Sequence, residues 1–367
     1  MKLRAAALAF LMITCSQAAV SQAPRTPSSM VSPTPTSPPV VAGDLPLTTV
    51  DFSCRLPVTR YSGGGDDTFY SIGFIAFPTA TFSPDPNDGI HSRHAQQDYA
   101  TDAAPTLSGT AQGGPPTYDL AQHRWVPVSS AQLTADGGWY AYSHGLPNST
   151  QIQVNVVNVA TATEKVFDVS QPERAQVVDF GPAGVYLLLP SALGGAGEGV
   201  WLLNPASGAV QRLRVEQQVM AVRDGYAWVG RIDPRNPPPQ PPEGTVANSI
   251  VRVDLQSGAE IAWYYRPGAS IYLRGFDSKG KPVIGVVGQG SYDAGEIRLV
   301  EQPGTQGVLV YSGRLPFRDP QGDGDRLWFS GATGIYLYTL ARGLRKVFAF
   351  SADANRADRF EPAGFCR

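Results

Sequence analysis

The side chains that could do chemistry are few: four histidines and three cysteines in 367 residues. His91 and His94 form an i, i+3 pair able to supply two metal ligands. No third partner accompanies them, and the polar stretch around them reads as a solvated loop. His123 precedes a strand-like segment and His144 lies beside Ser143, neither matched by spacing with an acid or a base. Asp319, Gln321 and Asp323 have the opening spacing of a calcium loop, with Gly324 in the sixth place. The twelfth place, which needs glutamate, holds Ser330, so a plain turn is the stronger reading and a weak calcium site the alternative. Asn148-Ser149-Thr150 matches a glycosylation sequon. No zinc-protease helix, phosphate-binding glycine loop, nucleophile elbow or dinucleotide fingerprint occurs. The sequence thus names no catalytic residue. No Cys-x-x-Cys occurs, so no thiolate zinc site is expected either.

The chemistry that is legible concerns address. Lys2 and Arg4 precede an uncharged apolar run, residues 5–14, and no further charge appears before Arg25. This is the layout of an export signal, too short for a stable membrane span. Cys15 closes the run in Leu11-Met12-Ile13-Thr14-Cys15, which resembles a bacterial lipobox; Thr14 departs from the small residue that motif prefers. The resemblance implies lipidation at Cys15, whereas Ser16-Gln17-Ala18 would suit ordinary signal cleavage. Residues 1–23 are therefore taken as the signal. Residues 24–49, rich in Pro, Ser and Thr, bury little and read as a disordered tether. The expected location is the outer face of the cytoplasmic membrane or the envelope, with secretion as the alternative. With Cys15 lipidated or removed, Cys54 and Cys366 remain. They bracket the folded region, and in an oxidising compartment such a pair is expected to form a disulfide.

The elements behind these residues are strands. Charged residues are 16% of the chain and hydrophobic ones 42%, enough apolar material for a large core. The 39 glycines and 32 prolines favour many short strands over long helices. A unit recurs: a turn with Asp-Gly, an aromatic strand, a loop, an alternating strand, a second turn and a short strand. Its clearest copy runs from Leu133 to Val166, with Ile152, Val154 and Val156 alternating. The residues preceding the second turn, Asn158, Asn204, Asp254, Val300 and Thr339, recur every 39 to 50 residues, the period of a four-stranded propeller blade. Residues 54–130 fit a further, degenerate unit containing strand-like 72–77, 116–120 and 124–128, with 83–115 a long surface insertion.

Asp136-Gly137-Gly138-Trp139-Tyr140-Ala141-Tyr142, with the Asn204-Pro205-Ala206-Ser207-Gly208 turn, resembles the WD40-like repeats of TolB-type propellers. The resemblance covers about five units over 131–350 and is specific only in the first; residues 181–184 and 278–280 depart from it. It implies a fold and carries no catalytic residues. The expected fold is all-β: a single β-propeller over 50–367 with four-stranded antiparallel blades. Six blades are counted, or seven if the insertion contributes strands. Trp139, Tyr186, Trp228 and Trp328 are expected between blades. Phe360-Glu361-Pro362-Ala363-Gly364 echoes Phe180-Gly181-Pro182-Ala183-Gly184, so the C-terminus is expected to complete the first blade and bring Cys366 to Cys54.

A net charge of −2 leaves no basic surplus for phosphate backbones, so nucleic acid is not an expected partner. A monomer is expected. The leading functional expectation is an extracytoplasmic binding or scaffolding propeller. It would contact a protein or an envelope glycan through the loops that join second to third strands, around 143–150, 190–198, 233–248, 285–294 and 330–333. The alternative is a propeller hydrolase or lyase working at the channel mouth, and a third reading is a structural companion within a complex. Carboxylates or a histidine converging on one mouth would favour the enzyme; an apolar or aromatic patch would favour binding.

Overall fold

The structure, a computed structural model, describes residues 45–62, 69–85, 116–145, 151–190, 199–215, 218–238, 247–288, 295–313, 318–351 and 359–367. All belong to the compact unit Pro38–Arg367. Strands alternate with tight turns, and among the described residues the helical content is one short turn, Ser130–Gln132. The chain first lays down β1 (Cys54–Ser62), β2 (Phe69–Phe77) and β3 (Thr81–Pro84). A hairpin of β4 (Thr117–Asp119) and β5 (Arg124–Val126) follows. The second blade is β6 (Trp139–Gly145), β7 (Ile152–Asn158) and β8 (Glu164–Val169), with a Leu133–Tyr140 bridge in the innermost position.

Four complete blades come next. The third is β9 (Gln176–Gly181), β10 (Gly184–Leu188), β11 (Val200–Leu203) and β12 (Val210–Arg212). The fourth is β13 (Val219–Arg223), β14 (Tyr226–Arg231), β15 (Ser249–Asp254) and β16 (Glu260–Tyr265). The fifth is β17 (Ser270–Phe276), β18 (Pro282–Val287), β19 (Gly295–Leu299) and β20 (Val308–Gly313). The sixth is β21 (Gln321–Asp323), β22 (Arg326–Ser330), β23 (Gly334–Thr339) and β24 (Gly343–Ala349). Finally β25 (Arg359–Pro362) returns to the first sheet, whose order is β25-β1-β2-β3. The C-terminal strand is therefore the inner strand of the first blade, and the fold is a six-bladed β-propeller.

Strand alternation explains why the ring closes. Successive side chains of a blade point to its two neighbours, so each strand feeds two cores. On β22, Leu327 and Phe329 pack with Val283 and Ile297 of the fifth blade, while Trp328 between them packs with Leu56, Ile75 and Phe77 of the first. On β14, Ala227 and Val229 face the third blade and Trp228 the fifth. Tyr186, Trp228 and Trp328 thus lie between blades as expected, and half-buried Trp139 packs against the core shared by the second and third.

One expectation is corrected. The segments at 116–120 and 124–128 do not join the sheet containing 72–77; β4 and β5 make their own sheet. The hairpin is wedged between the first and second blades. Tyr118 and Trp125 pack on Phe74 at 5.2 and 5.9 Å between ring centroids. Val126 and Val128 pack with Tyr142 and Val157. It occupies the place of a seventh blade, its 83–115 insertion beginning within β3 and lying, from residue 86 on, outside the described residues. Residues 45–49, grouped by composition with the tether, lie along the outer strand of the sixth blade: Leu47 bridges Lys346 and the Thr48 N–H donates to the Lys346 carbonyl at 2.8 Å.

Three of the five repeat markers turn out to be caps. Asn158, Asn204 and Asp254 each accept the N–H groups of the residues two and three ahead on one side-chain oxygen, at 2.7–3.2 Å. An Asx turn of this kind pre-forms the bend between third and fourth strands. The position four beyond each marker has positive φ, occupied by Gly208 and Gly258 (both 75°) and by Ala162 (55°).

Candidate binding mouth of the propeller

In each blade the turn between first and second strands emerges at one end of the ring, and the loop between second and third strands at the other. The turn end carries a hollow of about 500 Å³ over the central channel. Its lining comes from the wedge (Thr117 to Ala121), the second blade (Leu133, Thr134), the fourth (Arg223), the fifth (Phe276, Asp277) and the sixth (Gln321). Phe365 completes it from the C-terminus. The inner strands of the fifth and sixth blades come close enough here to make a parallel bridge, Phe276 to Gln321. Gly322 permits it, since a Cβ there would run into the backbone of Asp277 and Ser278.

The wedge is fixed in place by the C-terminal residues. The Tyr118 N–H donates to the Ala363 carbonyl at 2.7 Å. The Arg367 guanidinium lies over the Phe74 and Tyr118 rings, 4.5 Å from each centroid, and donates to the Tyr118 hydroxyl. Phe365, 39% exposed, stands at the rim immediately before Cys366. Cys366 is bonded to Cys54, the pairing expected from the sequence.

The carboxylates at this mouth are already occupied. Asp119 caps its own hairpin, accepting the Ala121 and Gln122 N–H groups at 3.3 and 2.8 Å. Asp277 accepts those of Lys279 and Lys281 at 2.9 and 2.7 Å. Asp136 accepts from the Thr134 hydroxyl at 2.6 Å and the Gly138 N–H at 3.0 Å; these bonds hold its carboxyl below the usual range. Arg223 is different. Its guanidinium lies 5.4 Å from the Phe276 centroid and 3.5 Å from the Asp224 carboxylate, and it is one-third exposed to the hollow.

Beside the mouth, between the third and fourth blades, Asp179 is 6% exposed and accepts the Asp224 N–H at 3.2 Å. Burial, reinforced by the Asp224 carboxylate and opposed by Arg223, lifts its carboxyl to about 7. Deeper in the channel, Glu361 is held by Arg318 and Arg359, each at 3.0 Å, and by the Tyr61 hydroxyl at 2.8 Å. Asp319 is open to channel solvent as a residue, yet protein crowds its carboxyl, and that lost solvation raises it. Arg274 opposes the shift and Glu361 adds to it.

The other sequence candidates do not assemble. The carboxylates of the 319–325 stretch have different partners: Asp319 feels Arg274 and Glu361, Asp323 accepts the Trp328 indole N–H (3.0 Å) and the Cys366 N–H (3.2 Å), and Asp325 lies beside Arg326. Within the stretch, Gln321–Asp323 is the inner strand of the sixth blade, and a turn follows it. His123 is exposed in the β4–β5 turn, and His144 stacks on Tyr142 at 6.1 Å. Among the described residues no three His, Cys, Asp or Glu side chains gather as a metal site needs. Cys15, His91, His94 and the sequon at Asn148 lie outside the described residues. At the opposite, loop end, Asp233 accepts from Arg235 Nε at 3.1 Å and the Tyr265 hydroxyl at 2.9 Å, and Asn248 accepts the Asp233 N–H at 2.8 Å. The Arg235 bonds, with that of Tyr265, press the Asp233 carboxyl well below the usual range. Much of the remaining loop sequence there falls outside the described residues.

Arg223, Phe276 and Phe365 were not visible as a group beforehand. Arg223 and Phe276 each end the inner strand of a blade beside its turn, and Phe365 follows the inner strand of the first blade, so only their place in the ring groups them.

No protein-family model and no curated protein matches this chain. Among solved structures it is similar to TolB from Acinetobacter baumannii, at 11% identity and a TM-score of 0.42, over 85% of this chain and 65% of that one. It is also similar to an acylaminoacyl peptidase crystallised with a chloromethyl ketone (9%, TM-score 0.42, 83% of this chain and 48% of that one). A third is an uncharacterised protein from Listeria monocytogenes EGD-e (7%, TM-score 0.38, 85% and 90%). The chain spans less than two thirds of TolB and about half of the peptidase. Nothing about ligand or activity passes to it at such identities, and the propeller rests on the sheet order itself.

Proposed function

We propose that this chain is an extracytoplasmic binding propeller of the WD40-like kind, tethered by a lipid on Cys15, that engages a protein or envelope glycan at the turn-end mouth instead of the loop end expected from the sequence. One observation carries the reading: a hollow to which the wedge, the C-terminus and the turn ends of four blades all contribute, with an exposed Phe365 and a part-free Arg223 on its wall. Sites of this kind combine apolar walls with a few convergent polar groups. The Cys54–Cys366 bond supports export, since such bonds persist in oxidising compartments. The position of Cys15 at the end of the apolar run supports the anchor.

A photo-crosslinking residue at Leu120 or Phe365, compared with one at the outlying Leu340, tests the mouth in living cells. Crosslinks to a protein or glycan from the mouth alone are expected; equal labelling from Leu340, or none from either mouth position, refutes it. Growth on labelled fatty acid tests the anchor, with label expected on the parent and lost in Cys15→Ala. The enzyme reading has one observation on its side, the Asp179 carboxyl lifted to about 7 beside Asp224. That carboxyl is buried, however, behind Arg223 and does not itself line the hollow.

A further inference from the structure

A second hollow, of about 520 Å³, lies between the third and fourth blades, away from the mouth. Three arginines line it. Arg212 ends β12, its guanidinium 5.4 Å from the Trp201 centroid. Arg214 stands at the tip of a three-residue turn closed by the Val215 N–H on the Leu213 carbonyl at 3.0 Å. Val215 is buried, and both it and half-buried Leu213 pack into the core between these blades, so the turn leaves Arg214 exposed. Arg231 comes from the facing blade, where its guanidinium bonds Glu260 at 3.0 Å. The described lining therefore sets three arginines against one glutamate, in a chain whose net charge is −2.

Two of these guanidiniums are braced, one on an indole and one on a carboxylate, which lowers the entropy lost when they close on a ligand. Arg214 pairs with no carboxylate among the described residues. Guanidinium forks from two blades facing one hollow fit a tetrahedral oxyanion, which can accept from several N–H groups at once. A protein partner would be expected to need apolar contact area, and the apolar wall residues Val215 and Val253 are buried.

We infer that the hollow between the third and fourth blades binds a phosphate group, carried either by a soluble ester or by an anionic lipid headgroup. The site is independent of the mouth, and its failure would leave the mouth reading untouched.

Calorimetric titration of the full-length Cys15→Ala chain, at fixed ionic strength, tests the site. The probes are inorganic phosphate, glycerol 3-phosphate and dihexanoyl-phosphatidylglycerol below its micelle concentration. Sodium chloride and the matching phosphatidylcholine serve as controls. Binding of at least one phosphate probe is expected, weakened at least tenfold by Arg214→Glu and severalfold by Arg214→Lys, which keeps the charge and loses the fork. Lys279→Ala, on a distant turn, should bind like the parent. Binding of the esters alone identifies a soluble ligand; binding of the lipid alone identifies a headgroup. Absence of binding by all three probes, or binding that Arg214→Glu leaves unchanged while unfolding curves show it folded, overturns the inference.

Discussion

Cys54 and Cys366 stand 5.5 Å apart at Cα and 312 residues apart in sequence, bonded at the position where every other blade has a turn between its first and second strands. In the first blade those two strands, β25 and β1, come from opposite ends of the chain. The disulfide takes the place of the missing covalent turn. The backbone beside it continues the ladder, with Arg55 and Arg367 exchanging N–H to carbonyl bonds at 2.8 and 3.2 Å.

Replacing both cysteines by serine is therefore expected to destabilise the whole ring rather than one loop. The chain-entropy limit for a loop of this length is roughly 5 to 6 kcal/mol, and measured bridges commonly contribute about 2–4 kcal/mol. Urea unfolding of the double variant should show a midpoint lowered accordingly with the cooperative transition kept. Mass spectrometry of an unreduced digest should return the two cysteine peptides joined.

The turn between third and fourth strands offers a test with the opposite sign. Ala162 holds a φ of 55° at the position filled by Gly208 and Gly258 in the next two blades. A side chain costs about 1–2 kcal/mol in that left-handed region, part of which glycine returns as entropy of the unfolded chain. Ala162→Gly should gain roughly 0.5–1 kcal/mol. Gly208→Ala should lose about 1–2 kcal/mol, its new Cβ also pressing on Phe167 at 3.2 Å. Paired thermal unfolding measurements check both.

Trp328 is fully buried, stacked on Phe77 with centroids 5.5 Å apart, and bonded through its indole N–H to Asp323. Trp328→Ala should cost about 3–5 kcal/mol, the usual range for emptying a packed aromatic site. Trp328→Phe should cost less, about 1–3 kcal/mol, chiefly from the donor withdrawn from Asp323. Trp139, only half-buried, should be the most tolerant of the four aromatic positions in the same denaturation series.

These outcomes track what the sequence made legible. Asn158, Asn204 and Asp254 were readable as a period because an Asx turn needs a side-chain oxygen at one fixed offset from a positive-φ residue. The returning C-terminal strand was readable because Phe360 to Gly364 repeats the pattern that opens β10. The wedge was not: alternation identifies Tyr118 and Trp125 as strand residues but does not say which sheet they join. Nor was the mouth, since Arg223, Phe276 and Phe365 meet only through ring closure, and nothing local to any of them encodes the other two. The arginine hollow was hidden likewise, Arg231 being brought to Arg212 and Arg214 by the packing of one blade on the next.

The least legible feature is Asp179, whose neighbours Val178 and Phe180 give no hint that a carboxyl is buried there. Its folded-state value of about 7 lies above the roughly 3.9 of an unfolded aspartate. Between those values the folded protein keeps a proton that the unfolded chain has released. Stability contributed by the protonated group is therefore complete below about pH 4 and is lost as pH rises towards 7. Asp179→Asn removes the ionisation while keeping an oxygen for the Asp224 N–H and supplying an amide donor to face the Asp224 carboxylate. The variant should match the parent near pH 4 and exceed it increasingly up to pH 7, by on the order of 2–4 kcal/mol at pH 8. Urea unfolding at pH 5, 6, 7 and 8 measures the difference. A constant offset across that range would mean that Asp179 is already ionised in the folded state at pH 5.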